Sequence, residues 1–302
     1  MNIPADPIPL LRNRTLFIMG AGRSGTTILA KVIGSMRPVF YAFEPVLLRV
    51  MPYLLRKPNP ELERAFLVTL FEDYFVPKLH GRRIDPCPSD WTYYGHYEFI
   101  EDLTWRAKAF RARVDSLGWA LVEQPLWLIK HPDFQPFASI VARIFPAAHF
   151  IHIIRNGLRV VASAVGHSWY TDEFFDLFAV EWVTKNKVPW YMAKEDQKQW
   201  PGWNAETRAA CAWRTTTQMG IDFCENNVWT LQLTYEDFCQ QPEQWANRMA
   251  LIYNVRQTIL TKRHIQEITK WEPSEYEPVA DKIVEPERSK FFALMEKLGY
   301  EK

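Results

Sequence analysis

A glycine-rich turn with the sequence GAGRSGTT occupies residues 20–27, between an apolar run and a helical pattern. Four residues separate Gly20 from Gly25, which is the glycine spacing of a phosphate-binding P-loop. Small residues in such a turn let backbone N–H groups converge on an anion, and the following helix adds the positive end of its dipole. Arg23 adds a guanidinium that can bind an anion through two N–H groups. We therefore expect an anion site formed by Gly22, Arg23, Ser24, Gly25, Thr26 and Thr27.

The residue types in and near this turn indicate which phosphate it binds. Thr26 stands where a nucleoside triphosphatase carries the lysine that reaches the terminal phosphates. A second strand of such an enzyme ends in an acidic residue that holds magnesium, whereas the strand pattern FIHII is followed by Arg155. Both substitutions argue against a magnesium-bound γ-phosphate and predict a phosphate site without a metal. A P-loop kinase or hydrolase and a non-catalytic nucleotide-binding scaffold remain the alternatives.

A second segment with anion-binding potential is IIRNGLRVVASAV, at residues 153–165. Arg155 is predicted to lie at the carboxyl end of a parallel strand, where ligands bind in open α/β sheets. Ser163 is four residues beyond Arg159, so both share one face of the next predicted helix. Arg155 and Ser163 are therefore candidates to hold one phosphate at two points.

The elements that must position these residues alternate between strand and helix patterns. This alternation predicts a three-layer α/β/α fold with a central parallel sheet, with residues 1–302 as one domain. A helical, aromatic-rich insertion is expected around residues 169–204. Strands are predicted at 16–20, 39–43, 126–130, 148–155 and the start of 228–238, where a turn follows. Helices are predicted at 24–36, 46–56, 61–78, 98–115, 134–145, 158–168 and 206–226.

The composition narrows the class of protein. The chain has 36 basic and 35 acidic residues and a net charge of +1, so no general basic field for nucleic acid is present. Its four cysteines form no CxxC pair, and we expect free thiols and no metal site. The N-terminal residues lack the pattern of a signal peptide, and no apolar run is long enough to span a membrane. We predict a cytoplasmic protein.

Four segments together resemble the sulfotransferases that use 3′-phosphoadenosine 5′-phosphosulfate (PAPS). GAGRSGTT is similar to the family's 5′-phosphosulfate loop, and residues 153–165 are similar to its 3′-phosphate segment. LIKHP (128–132) resembles the lysine-containing strand end, and LTYEDFCQQPEQW (233–245) resembles the segment after the last core strand. The resemblance is greater to carbohydrate-type and bacterial members than to the phenol and steroid enzymes. It implies a P-loop NTPase-like sulfotransferase fold.

The resemblance also implies a reaction and roles for residues. An acceptor hydroxyl or amine attacks the sulfur of PAPS, and 3′-phosphoadenosine 5′-phosphate (PAP) leaves. Arg23 would stabilise charge at the 5′ end, and Lys130 would bind the sulfuryl group or the bridging oxygen. Tyr235 would contact the adenosine. The acceptor would be a small molecule or a carbohydrate.

Two residues are candidates for the base that takes the acceptor proton. Glu44 follows the second predicted strand and should face the same crevice as the glycine-rich turn. His131 directly follows Lys130. The phenol-type enzymes of the family also carry a histidine after this lysine, but with one residue in between. Because side chains alternate along a strand, Lys130 and His131 should point to opposite sides. This alternation favours Glu44, and His131 remains the alternative.

Overall fold

A computed structural model describes residues 8–45, 47–48, 55–75, 125–178, 187–269 and 278–300. Its centre is a sheet of five strands in the order β2-β3-β1-β4-β5, and every neighbouring pair is parallel. The predicted parallel sheet is confirmed. The strands are β1 (Thr15–Met19), β2 (Val39–Phe43), β3 (Leu126–Lys130), β4 (His149–Ile154) and β5 (Thr230–Thr234).

Helices cover both faces of the sheet. Phe17 and Met19 of β1 point into one apolar core, while Leu16 and Ile18 point into the other. No helix within the described ranges is long and apolar enough to cross a membrane. The α-helices are α1 (Ile8–Asn13), α2 (Thr26–Gly34), α3 (Pro60–Leu70), α4 (Ala138–Ile144), α5 (Gly157–Val165), α6 (Asp172–Phe178), α7 (Lys194–Gln199), α8 (Ala205–Glu225), α9 (Tyr235–Gln240), α10 (Pro242–Ile252), α11 (Ile259–Thr269) and α12 (Glu287–Lys297).

The strand order brings distant parts of the sequence to one edge of the sheet. The central strand β1 pairs with β3 on one side and with β4 on the other. The register places Ile18 beside Lys130, and Met19 beside His152. The carboxyl ends of these strands therefore open onto one crevice, at the point where the strand order reverses.

Several boundaries differ from the predicted ones for local reasons. Helix α2 begins at Thr26 rather than Ser24, because Gly25 has a left-handed φ of 90° that a helix cannot contain. The predicted turn after β5 is helix α9, whose first turn is capped by the Thr234 hydroxyl accepting from the Asp237 N–H. The segment around residues 169–204, where a helical, aromatic-rich insertion is expected, contains α6 and α7. The predicted helix at 98–115 and most of that at 46–56 lie outside the described residues.

The close contact between Gly220 and His152 gives a testable prediction on stability. A Cβ added to Gly220 of α8 would lie 2.3 Å from the buried ring of His152 on β4. We expect Gly220→Ala to lower the free energy of unfolding by about 1–3 kcal/mol, because overpacking exceeds the gain in helix propensity. Urea denaturation measures the change. Gly202→Ala, with no atom within 4 Å of the new methyl, is the control; equal stability of the two variants would contradict the prediction.

Candidate active site

The glycine-rich turn joins β1 to α2 at the crevice. The Ser24 N–H donates to the Ala21 carbonyl at 3.0 Å, which closes the turn before the helix. The Ser24 hydroxyl oxygen is buried and has no hydrogen-bond partner among the residues that the structure describes. A buried hydroxyl without a partner is costly, and an anion held by the loop is one group that would satisfy it. The loop thus fits an anionic ligand.

Tyr235, the first residue of α9, packs against both anion-binding segments. A Cβ at Gly25 would lie 2.2 Å from a carbon of the Tyr235 ring, so this approach is open to glycine alone. The guanidinium carbon of Arg155 lies 4.5 Å from the centre of the same ring, a cation–π distance. Burial raises the pKa of Tyr235, so its phenol stays protonated at neutral pH. The aromatic ring therefore links the glycine-rich turn to the end of β4.

Direct hydrogen bonds also connect the two segments. Arg155 donates through Nη1 to the Arg23 carbonyl at 2.9 Å. Arg23 donates through Nε to the Ser163 hydroxyl of α5 at 3.0 Å, and its guanidinium carbon lies 5.7 Å from the centre of the Trp169 ring. Burial, and secondly the neighbouring Arg155, lower the pKa of Arg23. Two cations held this close create a local positive potential that favours an anion.

Glu44 and Lys130 form an ion pair at the ends of the adjacent strands β2 and β3. The Glu44 N–H also donates to the Lys130 carbonyl at 2.9 Å, which fixes the carboxylate residue at the sheet edge. The Lys130 side chain is 2% exposed and that of Glu44 is 23% exposed, so the carboxylate is the more accessible partner. Burial lowers the pKa of Lys130, and the Glu44 charge opposes this shift. The pair presents a carboxylate backed by a buried ammonium group.

These residues surround a cleft of about 270 Å³. It brings together most of the predicted site: Gly22, Arg23, Gly25, Thr26, Thr27, Glu44, Lys130, Arg155 and Tyr235. Four of its lining residues are cationic and, among those that the structure describes, Glu44 is the single carboxylate. The cleft is also lined by four residues that were not predicted as site residues: Ile28, Lys31, Pro132 and Trp169. Ser24 and Ser163 are not among the lining residues, and Ser163 accepts a hydrogen bond from Arg23, which is.

His131 points away from the cleft. Its side chain is buried, its Nδ1 atom lies 2.6 Å from the Pro132 carbonyl oxygen, and its ring centre lies 6.4 Å from that of Phe134. Phe134 belongs to the apolar core on the face of the sheet opposite α2. The opposite orientations of Lys130 and His131 expected from strand alternation are present in the structure.

One group of potential metal ligands occurs in the described part of the chain, away from the cleft. It consists of Asp196, Cys211 and Glu287. Arg214 donates to both carboxylates at 2.7 Å, and Lys290 donates to Asp196 at 2.8 Å. Both carboxylates are thus paired with cations, and this ion-pair network joins α7, α8 and α12.

The fold and the cleft define an α/β protein with a P-loop-like turn and two joined cationic segments. The model of the sulfotransferase family matches residues 15–255, which is most of the chain. The chain therefore belongs to the sulfotransferase family.

Two solved structures resemble the fold over nearly the whole chain. The sulfotransferase domain from the Curacin biosynthetic pathway has a TM-score of 0.52 and 16% identity, covering 96% of this chain and 98% of that one. The sulfotransferase domain from the olefin synthase of Synechococcus PCC 7002 has a TM-score of 0.50 and 16% identity, covering 96% of both chains. At this identity the likeness concerns the fold, and the predicted P-loop-like sulfotransferase fold is confirmed. No curated protein sequence matches the chain.

Proposed function

We propose that the protein transfers the sulfuryl group of PAPS to a hydroxyl or amine of a small-molecule or carbohydrate acceptor. The observation that carries this proposal is the direct connection of two anion-binding segments through Arg23. Its backbone carbonyl accepts from Arg155, while its side chain donates to Ser163. A donor with a phosphosulfate at one end and a 3′-phosphate at the other needs two adjacent anion sites. The cytoplasmic placement predicted from the sequence is part of the same proposal.

We assign the cleft residues the following roles in binding the donor. The N–H groups and hydroxyls of the glycine-rich turn, with Arg23, would bind the 5′-phosphosulfate of PAPS, which supplies the sulfuryl group when bound. Arg155 and Ser163 would hold the 3′-phosphate, with Tyr235 against the nucleoside. These groups fix the orientation of the donor before reaction, and orientation is a large part of catalysis.

Glu44 would act as the base at the acceptor side. Its carboxylate is the accessible member of the ion pair, so it can take the proton of an acceptor hydroxyl as that oxygen bonds to sulfur. Lys130 would neutralise charge on the sulfuryl or bridging oxygen as the sulfur–oxygen bond to the 5′-phosphate breaks and PAP leaves. His131 is oriented away from the cleft, which supports Glu44 as the base.

The arrangement is less suited to a magnesium-dependent kinase or hydrolase. Thr26 lines the cleft at the position of the P-loop lysine, and Arg155 follows β4 where an acidic metal ligand would be needed. Glu44, the carboxylate in the lining, is already paired with Lys130. A non-catalytic nucleotide-binding scaffold would not require an accessible carboxylate, Glu44, paired with a buried ammonium group beside its anion site.

Calorimetric titration with PAP in the presence of EDTA tests the proposal. We expect PAP to bind without metal, and Arg23→Ala and Arg155→Ala each to weaken binding about 10–100-fold, because each charged hydrogen bond contributes about 1.5–3 kcal/mol. Arg248→Ala is the matched control, since Arg248 also stacks on an aromatic ring, Trp245, but on the exposed face of α10.

ADP and magnesium-ATP are the competing ligands. ADP lacks the 3′-phosphate and should bind more weakly than PAP. Tighter binding of magnesium-ATP than of PAP would overturn the proposal in favour of a kinase or hydrolase. Failure of wild-type protein to bind PAP would also overturn it.

A further inference from the structure

Asp133 lies three residues after the end of β3 and contacts the glycine-rich turn. Its Oδ1 atom accepts a hydrogen bond of 2.9 Å from the Gly22 N–H. Its own N–H donates to the Gly20 carbonyl at 2.9 Å. Asp133 therefore binds the first half of the turn at two backbone positions, although it is more than a hundred residues away in sequence.

The local geometry is specific to this contact. Asp133 has a φ of 53°, in the left-handed region that aspartate tolerates better than most residues. A Cβ at Gly22 would lie 3.0 Å from the Asp133 Oδ2 atom and 2.9 Å from the Trp169 ring. The carboxylate and the indole thus both pack against Gly22, and Asp133 itself is not among the residues that line the cleft.

We propose that Asp133 is a positioning residue for the donor, which holds the Gly22 amide so that the remaining N–H groups of the turn face the phosphosulfate. This inference rests on the proposed function. An anion site made of backbone N–H groups depends on the turn keeping one conformation, and preorganised donors bind charge without reorganisation. Asp133 would supply that rigidity without touching the donor.

Asp133 also brings a negative charge close to an anion site, and its surroundings affect that charge. Among the residues that the structure describes, the titratable groups that interact with it are Glu44 at the end of β2, Lys130 at the end of β3 and Tyr170 after α5. Burial, and then the Glu44 charge, raise the pKa of Asp133 to about 6, against the Gly22 hydrogen bond and Lys130, which lower it. The hydrogen bond favours PAP binding and the charge opposes it, so two substitutions separate the effects.

Calorimetric titration of PAP into Asp133→Ala and Asp133→Asn tests the inference at pH 8 and pH 5. At pH 8 we expect Asp133→Ala to bind PAP about tenfold more weakly than wild type, through loss of one hydrogen bond. Asp133→Asn keeps an oxygen acceptor for Gly22 and loses the charge, so it should bind at least as tightly as wild type. At pH 5 wild-type Asp133 is mostly protonated, and its affinity should approach that of Asp133→Asn.

The comparison of variants distinguishes this inference from the proposed function. Asp281→Ala, which removes an aspartate that is 94% exposed, should bind PAP as wild type does. If wild type binds PAP and Asp133→Ala binds equally well, the positioning role is overturned and the proposed function stands. Weaker binding by Asp133→Asn than by wild type at both pH values would overturn it too, even if Asp133→Ala fails to fold. No PAP binding by wild type would overturn both.

Discussion

Replacement of Glu44 by glutamine is expected to lower kcat by about a thousandfold while leaving PAP binding nearly unchanged. Glutamine has the shape of glutamate but cannot take the acceptor proton. It can still accept a hydrogen bond from Lys130, which keeps this buried ammonium group partnered. The measurement is transfer of radiolabelled sulfur from PAPS to an acceptor found by screening alcohols, amines and saccharides, together with calorimetry of PAP.

Two further variants test whether the expected loss of kcat comes from removal of Glu44 as the base. Glu63→Gln is the matched control, because Glu63 is also a mostly buried glutamate in an ion pair, with Arg143 at 3.2 Å. It should retain wild-type turnover. His131→Gln tests the alternative base. Full activity of Glu44→Gln combined with a large loss in His131→Gln would show that the assignment of the base to Glu44 is wrong.

Replacement of Gly25 by alanine is expected to weaken PAP binding by about a hundredfold. The residue has a φ of 90°, and the added methyl carbon would lie 2.2 Å from the Tyr235 ring. Left-handed backbone costs alanine about 1–2 kcal/mol, and overpacking adds about 1–3 kcal/mol. Because Tyr235 also stacks on Arg155, displacement of its ring would disturb both anion-binding segments.

Substitution of a second glycine separates the cost of the left-handed backbone from the cost of overpacking against Tyr235. Gly299 also has a positive φ, of 77°, but no atom lies within 4 Å of an added Cβ. Gly299→Ala should therefore show the backbone cost alone, as a small loss of unfolding free energy with normal PAP binding. Calorimetry and thermal denaturation of both variants give the comparison. Normal PAP binding by Gly25→Ala would contradict the importance of the Gly25–Tyr235 contact.

The sequence predicted the sheet and the glycine-rich turn well, because both depend on local patterns. The strand at 39–43 has the predicted bounds, and β3 ends at Lys130 as expected. The alternation of side chains along β3 also gave the opposite directions of Lys130 and His131. Helix ends were predicted less well, since Gly25 interrupts the helical pattern through a backbone angle that the pattern does not contain.

The contacts that join the site could not be predicted from the sequence alone. Asp133 follows Pro132 directly after β3 and reads as a turn residue, and its contact with Gly22 depends on β3 lying beside β1. Trp169 was one aromatic residue among many in its segment, whereas in the structure its ring faces Arg23 and Gly22. The ion pair of Glu44 and Lys130 likewise depends on β2 pairing with β3. Strand order, rather than any local pattern, creates the contacts of Asp133 with Gly22 and of Glu44 with Lys130.

The bridge through Arg23 has a thermodynamic consequence for recognition of the proposed donor. Its hydrogen bonds hold the two anion-binding segments at a fixed separation. A ligand with both phosphate groups would behave as a chelate, since binding at one end presents the other at high effective concentration. Nucleotides with a single anionic end would bind without this gain in affinity. The protein would thus select its donor by the spacing of two charges more than by the strength of either contact.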